Sequence, residues 1–301
     1  MKVGFTLSAG ADCRLRFEFD VLDGSSFIVI SKTMGRPGQS HSCFAVDARS
    51  RRGNRIVSDT LSLTGYRANN DGHFIEVSYL AATVAHVMKE RAPKPILMLW
   101  FRGFSSFRNL PVETPLGTLG IWGATKGSHT DQMSGRVAIS ALTDKPHTTW
   151  IGEADRFLRL MHQGLAFAHG GRLQTPRLDL IEGNTVTATF FSGSGYRPEF
   201  PVPHSLDHDP IIGALVRRYF ERGPLSDVLG TALGWMQTDT TFDEVRFLTA
   251  MTAVETIIES ELPGRRGTVI AKSKFKVLRQ KLEEATDHDP NLSANERAIS
   301  R

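Results

Sequence analysis

The 301-residue chain is long enough for two domains or for one large domain with a well-buried core, and its 40% hydrophobic and 23% charged content is ordinary for a globular protein. A formal charge of +4 is mild for a dedicated nucleic-acid binder, and the two cysteines, Cys13 and Cys43, stand at no metal-ligand spacing. No window approaches the roughly 18 apolar residues of a membrane span and no signal peptide is visible, so a reducing, cytoplasmic setting is the expectation. The charge is unevenly spread: residues 1–203 hold 23 Lys+Arg against 17 Asp+Glu, and residues 204–301 hold 13 against 15.

Residues 1–150 read mainly as β-strand. Leu15 to Val21 alternates apolar and polar residues, and the apolar run Ser26 to Ser31 follows the turn signal Asp23-Gly24, so the two make a candidate hairpin. Arg49 to Arg55 (RSRRGNR) reads as a polar, Arg-rich loop, and Asn69 to Gly72 as a turn before another strand. Pro95 to Phe104 (PILMLWFRGF) is continuously apolar and short, as a strand buried on both faces would be; periodicity equally admits a buried helix segment. Gly117, Gly120, Gly123 and Gly127 punctuate the next stretch, and Arg136 to Leu142 reads as one more strand. The first helix spans Glu153 to Ala168, with Phe157, Leu160, Met161, Leu165 and Ala168 on one face and Gly170-Gly171 as its stop. A hairpin about Glu182-Gly183-Asn184 follows. The three prolines of Tyr196 to His204 then mark an extended linker, which places the domain boundary there.

After the linker every segment reads as helix: 209–221, 225–237, 242–262, 268–285 and 293 onward. The third is the most regular. Phe247, Met251, Val254 and Ile258 recur at helical spacing, Leu248 and Ile257 widen the stripe, and Asp243 and Glu244 lie at the positive end of the helix dipole. Glu255 falls four positions after Met251 and three before Ile258, so its carboxylate leans into the stripe and needs a partner or a place at its edge. Asn295 to Arg301 begins an amphipathic helix without a cap or apolar partners, which predicts an incomplete C-terminal domain.

Most chemical constellations give way to bland alternatives. His204 and His208 lie four apart beside Asp207 and Asp209, but Pro203 and Pro210 bracket them, so a polar boundary loop is favoured over a ligand set. His41 and Cys43 with Cys13 would be an incomplete zinc site. Ser192-Gly193-Ser194-Gly195 lacks the strand-to-helix context of a nucleophile elbow, and the glycine cluster around Lys126 misses the phosphate-loop spacing. Arg-x4-6-His occurs at Arg36/His41, Arg67/His73, Arg156/His162 and Arg197/His204. Three of these pairs sit in loops, and the fourth splits across two sides of a helix, so none reads as a nuclease site. Two basic groups remain: Arg49, Arg51, Arg52 and Arg55, and then Arg265, Arg266, Lys272, Lys274, Lys276, Arg279 and Lys281. Both could meet phosphates, but a solvated face is favoured, since Lys272, Lys276 and Arg279 alternate with Phe275 and Leu278 as the outer side of a helix should.

VRFLTAMTAVETIIESEL, following a linker and two shorter helices, resembles the helix that carries an F-x-x-A-x-x-A-x-E pattern in HEPN-containing, ApeA-like prokaryotic defence proteins. Here the pattern is Phe247, Ala250, Ala253 and Glu255. The layout, a β-rich domain before an all-helical one, is similar to that group as well; the resemblance covers mainly 206–285. It implies an RNA-directed anti-phage role. In active HEPN domains, often dimers, an R-x4-6-H motif near the domain end cleaves RNA without metal, and Glu255 would be the catalytic candidate as its polar partner. No helical R-x4-6-H follows Glu255, so this chain alone is expected to be inactive as such a nuclease.

The sequence thus predicts an α+β protein: a β-rich, sensor-like domain at 1–203 with one inserted helix, and an incomplete HEPN-like bundle at 204–301. RNA is the expected partner, with a homodimer through the C-terminal helices, an unidentified trigger ligand for the β domain, and no cofactor or metal. The alternative is a non-enzymatic recognition and dimerisation module that binds a protein or nucleic-acid ligand through the β domain. A small-molecule enzyme with its pocket in that domain is a third possibility.

Overall fold

A computed structural model describes residues 3–9, 15–21, 43–50, 53–69, 72–104, 111–123, 133–168, 173–192, 208–224, 226–236, 243–261 and 272–287. The fold is α+β, a large antiparallel sheet with a few helices. The strands are β1 (Val3–Ala9), β2 (Leu15–Val21), β3 (Phe44–Arg49), β4 (Arg55–Asn69), β5 (Gly72–Tyr79), β6 (Ala81–Val87), β7 (Ile96–Arg102), β8 (Val112–Thr114), β9 (Gly117–Trp122), β10 (Met133–Ala141), β11 (Arg177–Glu182) and β12 (Thr185–Phe191). In space they run β1-β2-β5-β4-β6-β12-β11-β7-β10-β9-β8, with β3 paired to β4. The helices are α1 (Trp150–Ala168), α2 (His208–Arg222), α3 (Asp227–Met236), α4 (Asp243–Glu261) and α5 (Lys272–Asp287). Their positions follow the helical periodicity of the sequence closely. The expected strand at Ser26 to Ser31 and the helix from 293 onward lie outside the described residues.

Strand β7 is central, between β11 and β10, and its side chains alternate. Leu97, Leu99 and Phe101 are buried on one face, opposite Ile139 and Val137 of β10. On that face α1 lays down Trp150, Ala154, Phe157, Leu158, Met161 and Leu165, the i, i+3, i+4 stripe of an amphipathic helix. Trp150, buried at the helix start, donates its indole N–H to the Leu116 carbonyl at 2.8 Å. Helix α2 completes this core through Ile212, while Leu215 closes over Gly164 and the Tyr219 ring meets Phe157 at 4.9 Å between centroids. The apolar face of α2 is therefore used inside the first compact unit. The chain divides into Met1–Ala253 and Val254–Arg301, so the division falls within α4. The Pro-rich linker expected before it lies outside the described residues.

A second core gathers Leu15, Ile56, Leu61, Val77, Tyr79, Ala82, Val186, Ala188 and Phe190 from β2, β4, β5, β6 and β12. Long β4 serves two neighbours in turn, pairing β6 through Arg55–Val57 and β5 from Leu61 onward. The chain breaks between β5 and β6 at Leu80, which strands two backbone N–H groups and a carbonyl. Thr60 Oγ1 accepts from Leu80 N at 3.2 Å and Ala81 N at 3.0 Å, while the Ser58 and Thr60 hydroxyls donate to the Ala81 carbonyl at 2.7 and 3.0 Å. Two hydroxyls thus satisfy a corner that the ladder cannot.

The glycine-rich stretch after 116 is strand β9, not merely loop punctuation. Gly117 has φ +142°, and a Cβ there would collide with the Ser140 carbonyl oxygen of the adjoining strand. At Gly120 a Cβ would meet the Trp122 ring, which folds back over it. Glycine in a strand marks close approach of this kind.

Candidate functional site

The pleat decides which side chains share the sheet face away from α1. Leu99 and Phe101 point toward the helix, so Trp100 points the other way. Directly opposite Trp100 in register stand Arg136 of β10 and Arg177 of β11; opposite those stand Trp122 of β9 and Phe190 of β12. Five adjacent strands therefore contribute one level of alternating rings and guanidinium groups: Trp122, Arg136, Trp100, Arg177, Phe190. Neighbouring strands lie about 4.8 Å apart, close to the spacing of a cation over a ring.

The distances agree. The Arg136 guanidinium carbon lies 4.6 Å from the Trp122 ring centroid and 5.3 Å from that of Trp100. Arg177 lies 5.7 Å from Trp100 and 5.2 Å from Phe190. Beneath them Asp179, 3% exposed, accepts the Trp100 indole N–H at 2.9 Å and the Arg177 Nε–H at 2.6 Å. A buried carboxylate requires such compensation. Trp100, Trp122 and Arg136 are half-buried, so each keeps access to solvent. Both sides of Trp100 carry a guanidinium, so a ligand meets ring edges and N–H donors, not a vacant stacking slot. The arrangement suits an anionic, extended ligand.

The residues singled out from sequence fare differently. Arg49 and Arg55 are exposed and face each other as the last and first residues of β3 and β4, so they are strand ends and not loop. Arg55 pairs with Asp47 through two hydrogen bonds, 2.8 and 3.1 Å, and that bond holds the Asp47 carboxyl below its usual pKa. Arg51, Arg52, Arg265 and Arg266 lie outside the described residues. Lys272 opens α5, on which Lys274, Lys276, Arg279 and Lys281 are exposed.

Glu255 corrects the expectation of a carboxylate leaning into a packed face: it is exposed. Helix α4 turns inward its small-residue side, with Ala253 fully buried and Thr249, Ala250, Thr256, Ile257 and Ser260 half-buried. Phe247, Leu248, Met251, Val254 and Ile258 remain exposed, so Glu255 does follow the apolar stripe, but the stripe is at the surface.

Arg156 and His162 diverge as the helix wheel requires. Burial raises the phenol pKa of Tyr219 against the pull of Arg156. His162 stacks on Phe101 and contacts the Leu173 carbonyl at 2.6 Å. On the α1 side a cleft of about 130 Å³ is lined by Leu99, Asp155, Leu158, Arg159, His162 and Leu178. Its charged pair is already joined, Arg159 Nε to Asp155 at 2.8 Å, and it lies on the opposite face of the sheet from the ladder. Among the described residues no three His, Cys, Asp or Glu side chains group to hold a metal, and no helix is long and apolar enough to cross a membrane.

Sequence inspection missed Trp100, Trp122, Arg136, Arg177, Asp179 and Phe190. The local signal was present in each strand as alternation, but the pairing joins residues as far apart as Trp100 and Arg177. No family model, no curated protein and no solved structure matches this chain.

Proposed function

We propose that this chain is a non-enzymatic recognition protein that binds single-stranded RNA on the sheet face away from α1. The observation that carries the proposal is the ladder across five neighbouring strands, in which two arginines alternate with the half-buried rings of Trp100 and Trp122 and buried Phe190 closes the end against the second core. Interleaved cations and rings are a means by which proteins hold single strands without reading sequence; here guanidinium groups flank Trp100, so N–H donors meet the phosphates and exposed ring edges meet the bases. The positive balance of residues 1–203 favours the same class of partner. Recognition is favoured over cleavage because the candidate catalytic carboxylate, Glu255, lies on α4 and stands exposed, with no basic partner among the described residues. The exposed stripe Phe247, Leu248, Met251, Val254 and Ile258 suits self-association of the helical part, as in the dimerisation module considered above.

The test is titration of a fluorescently labelled, unstructured RNA oligomer with the full chain. Saturable binding that weakens with salt and falls at least about fivefold in Trp100→Leu with Trp122→Leu is expected. No saturable binding at low salt, or binding indifferent to both substitutions, contradicts it.

A further inference from the structure

The two arginines of the ladder are not equivalent. Arg177 is neutralised on the spot: its Nε donates to Asp179 at 2.6 Å, and the other carboxylate oxygen takes the Trp100 indole N–H at 2.9 Å. Asp179 is buried, so this three-membered unit is fixed from below, and its charge is spent within the protein. Arg136 stands in the same level, and among the described residues no carboxylate pairs with it. The residues directly opposite it on β7 and β9 are Trp100 and Trp122, and its guanidinium lies within 5.3 Å of one ring centroid and 4.6 Å of the other. Among the described residues, no hydrogen bond or ion pair engages it.

A guanidinium whose neighbours are aromatic rings finds no oxygen acceptor there, so its N–H donors remain available to another partner. Partial burial between two indoles makes that partner preferably an anion, and the planar fork matches two phosphate oxygens at once. Ring contacts on two sides also hold the side chain in one place, so little freedom remains to be lost when an anion arrives.

We infer that Arg136 is the phosphate-holding residue of the ladder, and that Arg177, clamped by Asp179, is a positioning residue that sets Trp100 beside it. This rests on the sheet face being an RNA-binding surface, and it assigns one phosphate contact to one side chain. Loss of one phosphate contact lowers the salt dependence of single-strand binding by about 0.7 in the slope of log K against log salt. A positioning residue changes affinity without changing that slope.

The experiment is RNA titration of the full chain at a series of salt concentrations, with thermal melts of every variant as a check on folding. Arg136→Ala is expected to weaken binding roughly tenfold or more at low salt and to reduce the slope by about 0.7. Arg136→Lys, which keeps the charge but not the fork, should restore the slope while recovering only part of the affinity. Arg177→Gln combined with Asp179→Asn keeps the net charge and a hydrogen-bonding pair; it should lower affinity through Trp100 and leave the slope at its wild-type value. An unchanged slope in Arg136→Ala, or an equal drop in the double variant, overturns the assignment. Absence of binding by the wild-type chain overturns the recognition function and this assignment together, and so separates the two failures.

Discussion

At the scale of single residues, burial decides what a side chain is worth. Glu255 is exposed, so Glu255→Ala should shift stability by no more than about 0.5 kcal/mol in a thermal melt. A loss of about 2 kcal/mol or more would instead indicate an enclosed, partnered carboxylate. Trp150 makes the contrasting case. It is 2% exposed and its indole N–H reaches the Leu116 carbonyl, so Trp150→Phe removes the donor, leaves a buried acceptor and opens space. A cost of about 2–4 kcal/mol is expected in denaturant titration. The sequence showed Glu255 beside apolar neighbours correctly, yet not which side of its helix is packed. Periodicity identifies a stripe; it is the small residues around Ala253 that turn inward, and only tertiary packing makes that choice.

At the scale of elements, local signals were legible wherever the chain's own periodicity set the outcome. The helices α1 to α5, the strand at Leu15–Val21, and the hairpin turn at Gly183, φ +59°, all follow from spacing and turn chemistry. Strand β9 did not, because glycines read as breakers until the neighbour that needs them is known. Gly117→Ala would force a Cβ against the Ser140 backbone at a positive φ, so a loss of about 2–4 kcal/mol is expected; a neutral result would mean that β9 and β10 are not in this register. Helix α2 is joined to α1 by Tyr219, whose hydroxyl donates to the Glu153 carbonyl at 3.1 Å. Tyr219→Phe keeps the ring contact with Phe157 and loses that bond, at a cost of about 1 kcal/mol. Burial raises the phenol pKa above its ordinary value of 10, so the folded state holds the proton more tightly than the unfolded chain does. The associated stability is complete below pH 10 and is lost as pH rises through the folded-state pKa. Melts taken from neutral pH to beyond pH 10 should therefore fall less steeply at the alkaline end for Tyr219→Phe than for the wild type.

At the scale of the whole molecule, the α+β class was legible from the order of strand and helix signals, and the ladder was not. Its members come from five strands between residues 100 and 190, brought level by register between segments remote in sequence. Each strand alone showed a Trp, an Arg or a Phe on one face; only pairing puts them side by side. The exposed stripe on α4 belongs to this scale too. Phe247→Glu with Met251→Glu should convert any dimer to monomer in sedimentation, whereas an unchanged mass would exclude that stripe as the interface. The four tryptophans of the chain divide cleanly between the ladder face and the rest of the molecule. Trp100 and Trp122 belong to the ladder, Trp150 is sealed under the sheet's other face, and Trp235 lies on α3. Indole N–H resonances recorded during titration with single-stranded RNA should move for Trp100 and Trp122 while Trp150 and Trp235 hold still. RNA bound with the Trp100 and Trp122 signals unmoved would contradict the assignment of this face as the binding surface.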